Sequence, residues 1–341
     1  MRRVVFLVAS VLVSALFLWL ALRDQDLGRV WASIRQADPG WMLAALVAIS
    51  FGLWTRGVRW RGLLDDRLTV PQAGHILNIG FLLNLLPLRA GELARSVLAT
   101  RYRVPFMTAA TSVVFERLVD TLLVVVILVI ALSRLPNTSA AITGPTTLFG
   151  VAVVAAFAVL VFFSRYPSVG HRAVALVERL LPFLRRLSLG RLLDHALDGL
   201  KPLNHGRSAA RAIVWTLVSW AISLFTLYCL VMALRIDGVD RLLLAVLGLM
   251  LAALSIAVPV SVAGIGPFQA ALIVAGQAVG LSGTPEKDAL ALSLGFLFHA
   301  INILGYAVWG TVGMLALGVS LGDVLKRGAP APREADAPAA D

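Results

Sequence analysis

Glu116, Arg117 and Asp120 fall within five residues of one another inside residues 107–133, an apolar run long enough to cross a bilayer. A charged side chain at the bilayer centre costs about 2.5–3.5 kcal/mol on insertion scales, so ionisable groups there line a substrate path or pair internally. On a helix Glu116 and Asp120, four apart, share a face, and Arg117 lies three from Asp120. Two carboxylates and one guanidinium leave a negative charge uncompensated where unpaired charge is expensive. Directly upstream, Asn84-Leu-Leu-Pro-Leu-Arg-Ala-Gly-Glu92 breaks a helix where the chain should still be in lipid. Arg89 or Arg95 from this segment is the obvious partner for the carboxylates, and an arginine fork also suits bidentate binding of phosphate. Two readings therefore stand: a structural clamp on Glu116 and Asp120, or a holder for a lipid phosphate. Gly91 has the backbone freedom such a turn needs, and Asn84 and Asn78 satisfy broken backbone or touch substrate.

A second interruption, residues 258–267, places Pro259, then Ala263-Gly264-Ile-Gly266, in another apolar region. Non-helical backbone at membrane depth is tolerated only where protein or a wet cavity satisfies it. Corresponding interruptions in two halves of a chain point to the shared site of an inverted-repeat transporter. Ordinary proline kinks in packed helices are the plainer reading of each stretch alone. His299 and Asn302, three apart on the last apolar helix, share a face; they line the cavity or form an interhelical hydrogen-bond pair.

The elements that must position these groups follow from composition. The chain has 341 residues, 59% of them hydrophobic, with a mean hydropathy of +0.87, far above a soluble domain. The net charge of +11 is carried almost wholly by arginine, and anionic lipid and positive-inside topology explain it better than nucleic acid. Cys229 is the single cysteine and excludes a disulfide framework. No P-loop, metal cluster or Ser/His/Asp arrangement is present in the sequence, so no cofactor and no ATP-driven pump is expected. The fold class is an all-α polytopic membrane protein with about six full spans, near residues 4–22, 41–54, 107–133, 147–164, 212–234 and 290–319. Two broken hairpins, residues 75–96 and 242–281, complete an inverted repeat; counting the second as two full spans gives up to eight.

Residues 1–321 read as one membrane domain and 322–341 as a disordered cytoplasmic tail. The connector 165–211 carries nine Lys/Arg against three acids and marks the cytoplasmic side, with both termini on it. Within it Leu176, Val177, Leu180, Leu181, Leu184 and Leu187 recur at helical spacing among arginines, an amphipathic helix suited to the anionic inner leaflet. The loop after residue 133 has a single basic residue and belongs outside. Basic residues 56–61 are expected at a cytoplasmic interface.

The set Arg56, Arg59-Trp60, Leu63-Leu64, then Asn84, Pro87, Arg89, Gly91-Glu92, Arg95, then Glu116-Arg117 and Asp120, with Pro259 and Gly264-Ile-Gly266 later, resembles the lysylphosphatidylglycerol synthase transmembrane-region family. The resemblance covers residues 1–321 and departs at Gln269, where an acidic residue is expected. It implies similarity to the flippase half of the bacterial multiple peptide resistance factor, which moves an aminoacylated phospholipid between leaflets. With no soluble synthase domain appended, the resemblance implies a stand-alone flippase-like module, not an enzyme, with a membrane phospholipid as its partner. Together with the residue reading above, the candidate substrate-binding set is Asn84, Arg89, Gly91, Glu92, Arg95, Glu116, Arg117, Asp120, Gly264, Gly266, Gln269, His299 and Asn302. The alternatives are an integral-membrane enzyme on a lipid-linked substrate, using the carboxylates as acid and base, and a non-catalytic subunit docked to a lipid synthase. A homo-oligomer is a further expected association.

Overall fold

The computed structural model describes residues 2–23, 25–86, 90–135, 140–180, 189–190, 193–194, 197, 206–256, 261–320 and 322. Among these residues the chain is entirely helical, an all-α polytopic membrane protein of twelve helices. They are α1 (Arg2–Leu22), α2 (Leu27–Arg35), α3 (Pro39–Leu63), α4 (Val70–Leu83), α5 (Ala90–Thr100) and α6 (Phe106–Leu132). Then follow α7 (Ala140–Arg165), α8 (Pro167–Leu180), α9 (Gly206–Ala233), α10 (Arg241–Ser255), α11 (Pro267–Ala278) and α12 (Pro285–Leu317). Six of them, α1, α3, α6, α7, α9 and α12, have 21 to 33 residues. Of these, α3, α9 and α12 are long and apolar enough to cross a membrane by length and composition.

Starts and stops follow local chemistry. Asp38 caps α3 by accepting from Gly40 and Trp41 N–H, with Pro39 at the first turn where no amide hydrogen is needed. Thr69 and Gln72 form a reciprocal capping box on α4. Gly318, at φ 58°, ends α12 in the left-handed conformation that L side chains avoid.

The two interrupted regions are hairpins of short helices. α4 and α5 have 14 and 11 residues, α10 and α11 have 15 and 12. At 1.5 Å per residue these reach only about 17–22 Å, short of the ~30 Å hydrocarbon core. The eight-span count therefore fails, and six long helices with two hairpins remain. Each half reads long helix, hairpin, long helix: α3, α4–α5, α6 in the first and α9, α10–α11, α12 in the second. The halves cross over, with α4 packed on α12 and α10 on α6.

α3 and α9 form the most extensive helix pair, and their contacts run in opposite senses. Arg59 meets Thr216, Thr55 meets Ser219, Arg56 meets Ser223, and the Asp38 N–H reaches the Ala233 carbonyl at 2.9 Å. The equivalent helices of the two halves are antiparallel, which makes the repeat an inverted one.

Several sequence expectations are corrected here. Within residues 56–61 the interfacial edge is reduced to its end, because α3 continues to Leu63 and carries Arg59 and Trp60 into the core, leaving Arg61 part-exposed beside Asp66. α8 begins at Pro167, directly after α7, and carries Leu176, Val177 and Leu180 of the expected amphipathic helix, while Leu181, Leu184 and Leu187 lie outside the described residues. α2 was not expected; it is a nine-residue helix with Val30 packed on Ala289 and Leu292 of α12. The residues expected to form the tail, apart from 322, lie outside the described residues, as do Arg89, Pro87 and Pro259.

Candidate functional site

Four helices converge on one buried charge cluster. Arg59 of α3 holds both carboxylates of α6: Nη1 donates to Asp120 Oδ1 at 2.7 Å, Nη2 to Asp120 Oδ2 at 3.1 Å, and Nη2 also to Glu116 Oε1. Arg95 of α5 donates to the other oxygen of Glu116 and stacks over the Trp60 ring at 4.5 Å. Trp60 is fixed in turn by donating to Ser112 Oγ at 2.9 Å. From α9, Trp220 Nε1 donates to Asp120 Oδ1 at 2.9 Å, and the Thr216 hydroxyl accepts from Arg59 at 3.3 Å. Arg59 and Glu116 are 3% and 4% exposed, so they are stable as ions only because every charge meets its opposite. Glu116 lies ten residues into α6, about 15 Å along it, half the depth of the hydrocarbon core.

Arg117 turns away from its neighbours. Its Nε lies 2.9 Å from Glu92 Oε1, an ion pair of two partly exposed side chains. That contact lacks hydrogen-bond alignment. Arg56, one turn before Arg59, donates to Ser223 Oγ at 2.8 Å and faces the Phe81 ring at 6.0 Å. Among the described residues no carboxylate pairs with Arg56.

These groups border a cavity of about 340 Å³. Its wall includes Arg56, Arg59, Glu116, Arg117, Asp120, Trp220 and Tyr306, with Phe81 and Glu92 from the first hairpin and Ala253, Leu254 and Ile256 from the second. Both hairpins thus border one space. Arg59 Nε, buried in its wall, has no protein acceptor among the described residues. Counting Arg95 behind Glu116, four arginines face three carboxylates among the described residues.

The remaining sequence candidates are distributed differently. Gly91 sits at the hairpin seam, where a Cβ would overlap the Gly80 carbonyl oxygen, with Asn84 Oδ1 also within 2.6 Å of it. Gly91 and Asn84 are thus hairpin-forming residues outside the cavity wall. Gly264, Gly266, Gln269 and His299 also lie away from the cavity, in a neutral relay that holds the second break. Gly266 N–H donates to Gln269 Oε1 at 2.8 Å, Gln269 Nε2 lies 2.9 Å from His299 Nδ1, and His299 Nε2 lies 3.0 Å from the Ala263 carbonyl. Gln269 donating to Nδ1 leaves the His299 proton on Nε2, where it donates to the carbonyl. Ala263, Gly264 and Gly266 all have positive φ, and α1 backs this loop by accepting the Val262 N–H on Ser14 Oγ at 2.8 Å. Asn302 reaches the cavity only through Tyr306, whose hydroxyl donates to it at 3.1 Å.

Arg56, Arg59, Trp220 and Tyr306 were not among the sequence candidates for the site. Only the arginines left a signal, a pair one turn apart in an apolar helix. Among the described residues no His/Cys/Asp/Glu group could hold a metal ion.

A charged cavity enclosed by an inverted helical repeat defines an integral membrane protein. The chain belongs to the family described as the lysylphosphatidylglycerol synthase TM region, whose model it matches over residues 7–310. It is also similar to Glycosyltransferase AglD of Haloferax volcanii, 26% identical over 360 residues that cover 94% of this chain and 55% of that protein. The chain spans about half the length of that relative. No solved structure matches.

Proposed function

We propose that this protein moves a phosphate-headed lipid between the leaflets of the cell membrane, with the headgroup passing through the cavity while the tails stay in lipid. The observation that carries this reading is Arg56, a cation on the cavity wall held by a hydroxyl and an aromatic face rather than by a carboxylate. Among the described residues the four arginines outnumber the three carboxylates by one, and a phosphodiester brings one negative charge to match that excess. An arginine fork suits two phosphate oxygens. Both hairpins bound the cavity, so tilting either one against the long helices would open it toward a different leaflet.

The connector supports a membrane-surface role beside this. α8 exposes Val169, Leu176, Val177 and Leu180 and carries Arg172 and Arg179, the pattern of a helix lying on anionic headgroups. The glycosyltransferase relative favours a second reading, in which the lipid carries a sugar and the partner is a transferase that makes or uses it.

Purified protein in phosphatidylcholine vesicles containing a fluorescent phosphatidylglycerol tests the proposal. Leaflet exchange faster than in protein-free vesicles, and abolished by Arg56→Ala, is the expected result. A chemically altered lipid would establish an enzyme instead. Unchanged lipid and no exchange, with a glycolipid probe as well, would leave a docking subunit.

A further inference from the structure

The polar cavity has an apolar neighbour. A cleft of about 360 Å³ lies between α6 and α7, lined by Val113, Val114, Leu118, Leu122, Ala156 and Phe157. Its inner end is closed by Glu92, Arg117 and Thr121, which also line the polar cavity. Cleft and cavity are therefore two chambers on either side of the Glu92–Arg117 ion pair.

We infer that this cleft is the berth of an acyl chain of the transported lipid, and that the Glu92–Arg117 pair is the gate through which its headgroup enters the cavity sideways from the bilayer. The inference rests on the transport reading and adds the route to it. Three observations select a lipid tail as the occupant. The walls of the cleft are apolar up to the charged pair, as a hydrocarbon chain needs. The polar end shares Glu92, Arg117 and Thr121 with the cavity whose wall also holds Arg56, so a molecule with its phosphate in the cavity has the cleft beside it for its tails. The ion pair is also more exposed than the clamp around Glu116: its partners are 43% and 29% exposed, at 2.9 Å without hydrogen-bond alignment. The clamp around Glu116, by contrast, is buried and multiply bonded. A pair of this kind costs little to open in a wet setting, and an arriving phosphate offers Arg117 a replacement for Glu92 while it does so. Arg117 would thus pass from carboxylate to phosphate and back without standing unpaired.

Two measurements test this. The first fills the cleft with Val114→Trp, with Leu315→Trp on the exposed face of α12 as control. The expected result is that exchange of fluorescent phosphatidylglycerol falls by an order of magnitude in the filled variant, while glycerol phosphate still raises its melting temperature as in the wild type. Exchange at the wild-type rate in a folded Val114→Trp variant would overturn the portal and leave the transport reading standing. The second uses the wild-type chain in vesicles containing phosphatidylglycerol with a photoreactive diazirine in its tail. Cross-links concentrated at residues 113–122 and 156–157, and lost in Arg117→Ala, support the berth even if no exchange is seen and the transport reading fails. Cross-links spread over the outer faces of α1, α7 and α12 alike would overturn it.

Discussion

Arg56 and Arg59 stand one turn apart on α3, and their surroundings give them opposite tasks. Arg59 is enclosed by Glu116, Asp120 and Thr216, so its removal strands two buried carboxylates. Arg59→Ala should cost about 3–5 kcal/mol, the range for breaking a buried pair from one side, read as a loss of thermal stability in detergent. Arg59→Lys should recover little of it, because an ammonium cannot span two carboxylates as the planar fork does. Arg56→Ala removes one hydrogen bond to Ser223 and should cost only about 1 kcal/mol. On the proposed transport reading its effect belongs to lipid binding: phosphatidylglycerol should stabilise the wild type and leave Arg56→Ala unmoved. If Arg56→Ala destabilised the fold as much as Arg59→Ala, both arginines would be clamps and the phosphate site would be lost. The sequence showed that Glu116 and Asp120 needed a counter-ion and named Arg95 among its sources. That the main partner is Arg59 depends on α3 packing against both α6 and α9, and no local spacing reports a contact between residues 57 and 61 positions apart.

At the scale of elements, the hairpins were legible and their fastenings were not. Proline and glycine in the middle of apolar runs announce a break, and both breaks were read from residues 84–92 and 258–267. What a break looks like depends on what seals it. The first hairpin closes on itself, with Gly91 against the Gly80 carbonyl. The second is sealed from outside, by Ser14 of α1 and by the Gln269–His299 relay. Glu92 and Gln269 are each the third residue of the second helix of their hairpin. The missing acid at Gln269 is therefore explained: this position faces a neutral histidine and an amide, not an arginine, and a carboxylate there would stand without a cation. The close seam makes a sharp prediction. Gly91→Ala should destabilise by about 1–3 kcal/mol or more, since the added methyl must displace backbone. Gly74→Ala, where a Cβ meets nothing within 4 Å, should be neutral or mildly stabilising. Thermal melts of the two variants decide it; a tolerated Gly91→Ala would mean the hairpin is splayed apart. α2 escaped the sequence reading because nine residues carry too short a pattern, and its one buried side chain, Val30, is defined by α12 rather than by its own sequence.

Across the whole molecule, the inverted repeat fixes which loops share a face, and charge then fixes which face is which. Following the helices, the ends near residues 61–70, 100–106, 165–180 and 206–211 lie together, as the Arg211–Asp66 ion pair at 2.6 Å demands. The ends near residues 23–38, 133–135, 234–241 and 279–288 lie together opposite, with Arg235 beside Asp38. Counting described residues in these ranges and including Arg2 and Arg3, the first face carries eleven basic against three acidic side chains, and the second seven against six. Arginine excess is retained on the cytoplasmic side, so we propose that the first face, with α8 and the start of α1, is cytoplasmic. The same assignment would put the open base of the α4–α5 hairpin in the cytoplasm and that of α10–α11 outside, as the proposed transport reading requires of opposed gates on one cavity. With Cys229 replaced by Ala, a cysteine at Ser133, the C-cap of α6, should react with a membrane-impermeant maleimide in intact cells. One at Ser168 on α8 should react only after lysis. Reaction at Ser168 but not at Ser133 would invert the assignment, and the arginine-rich connector would then face outward against its charge.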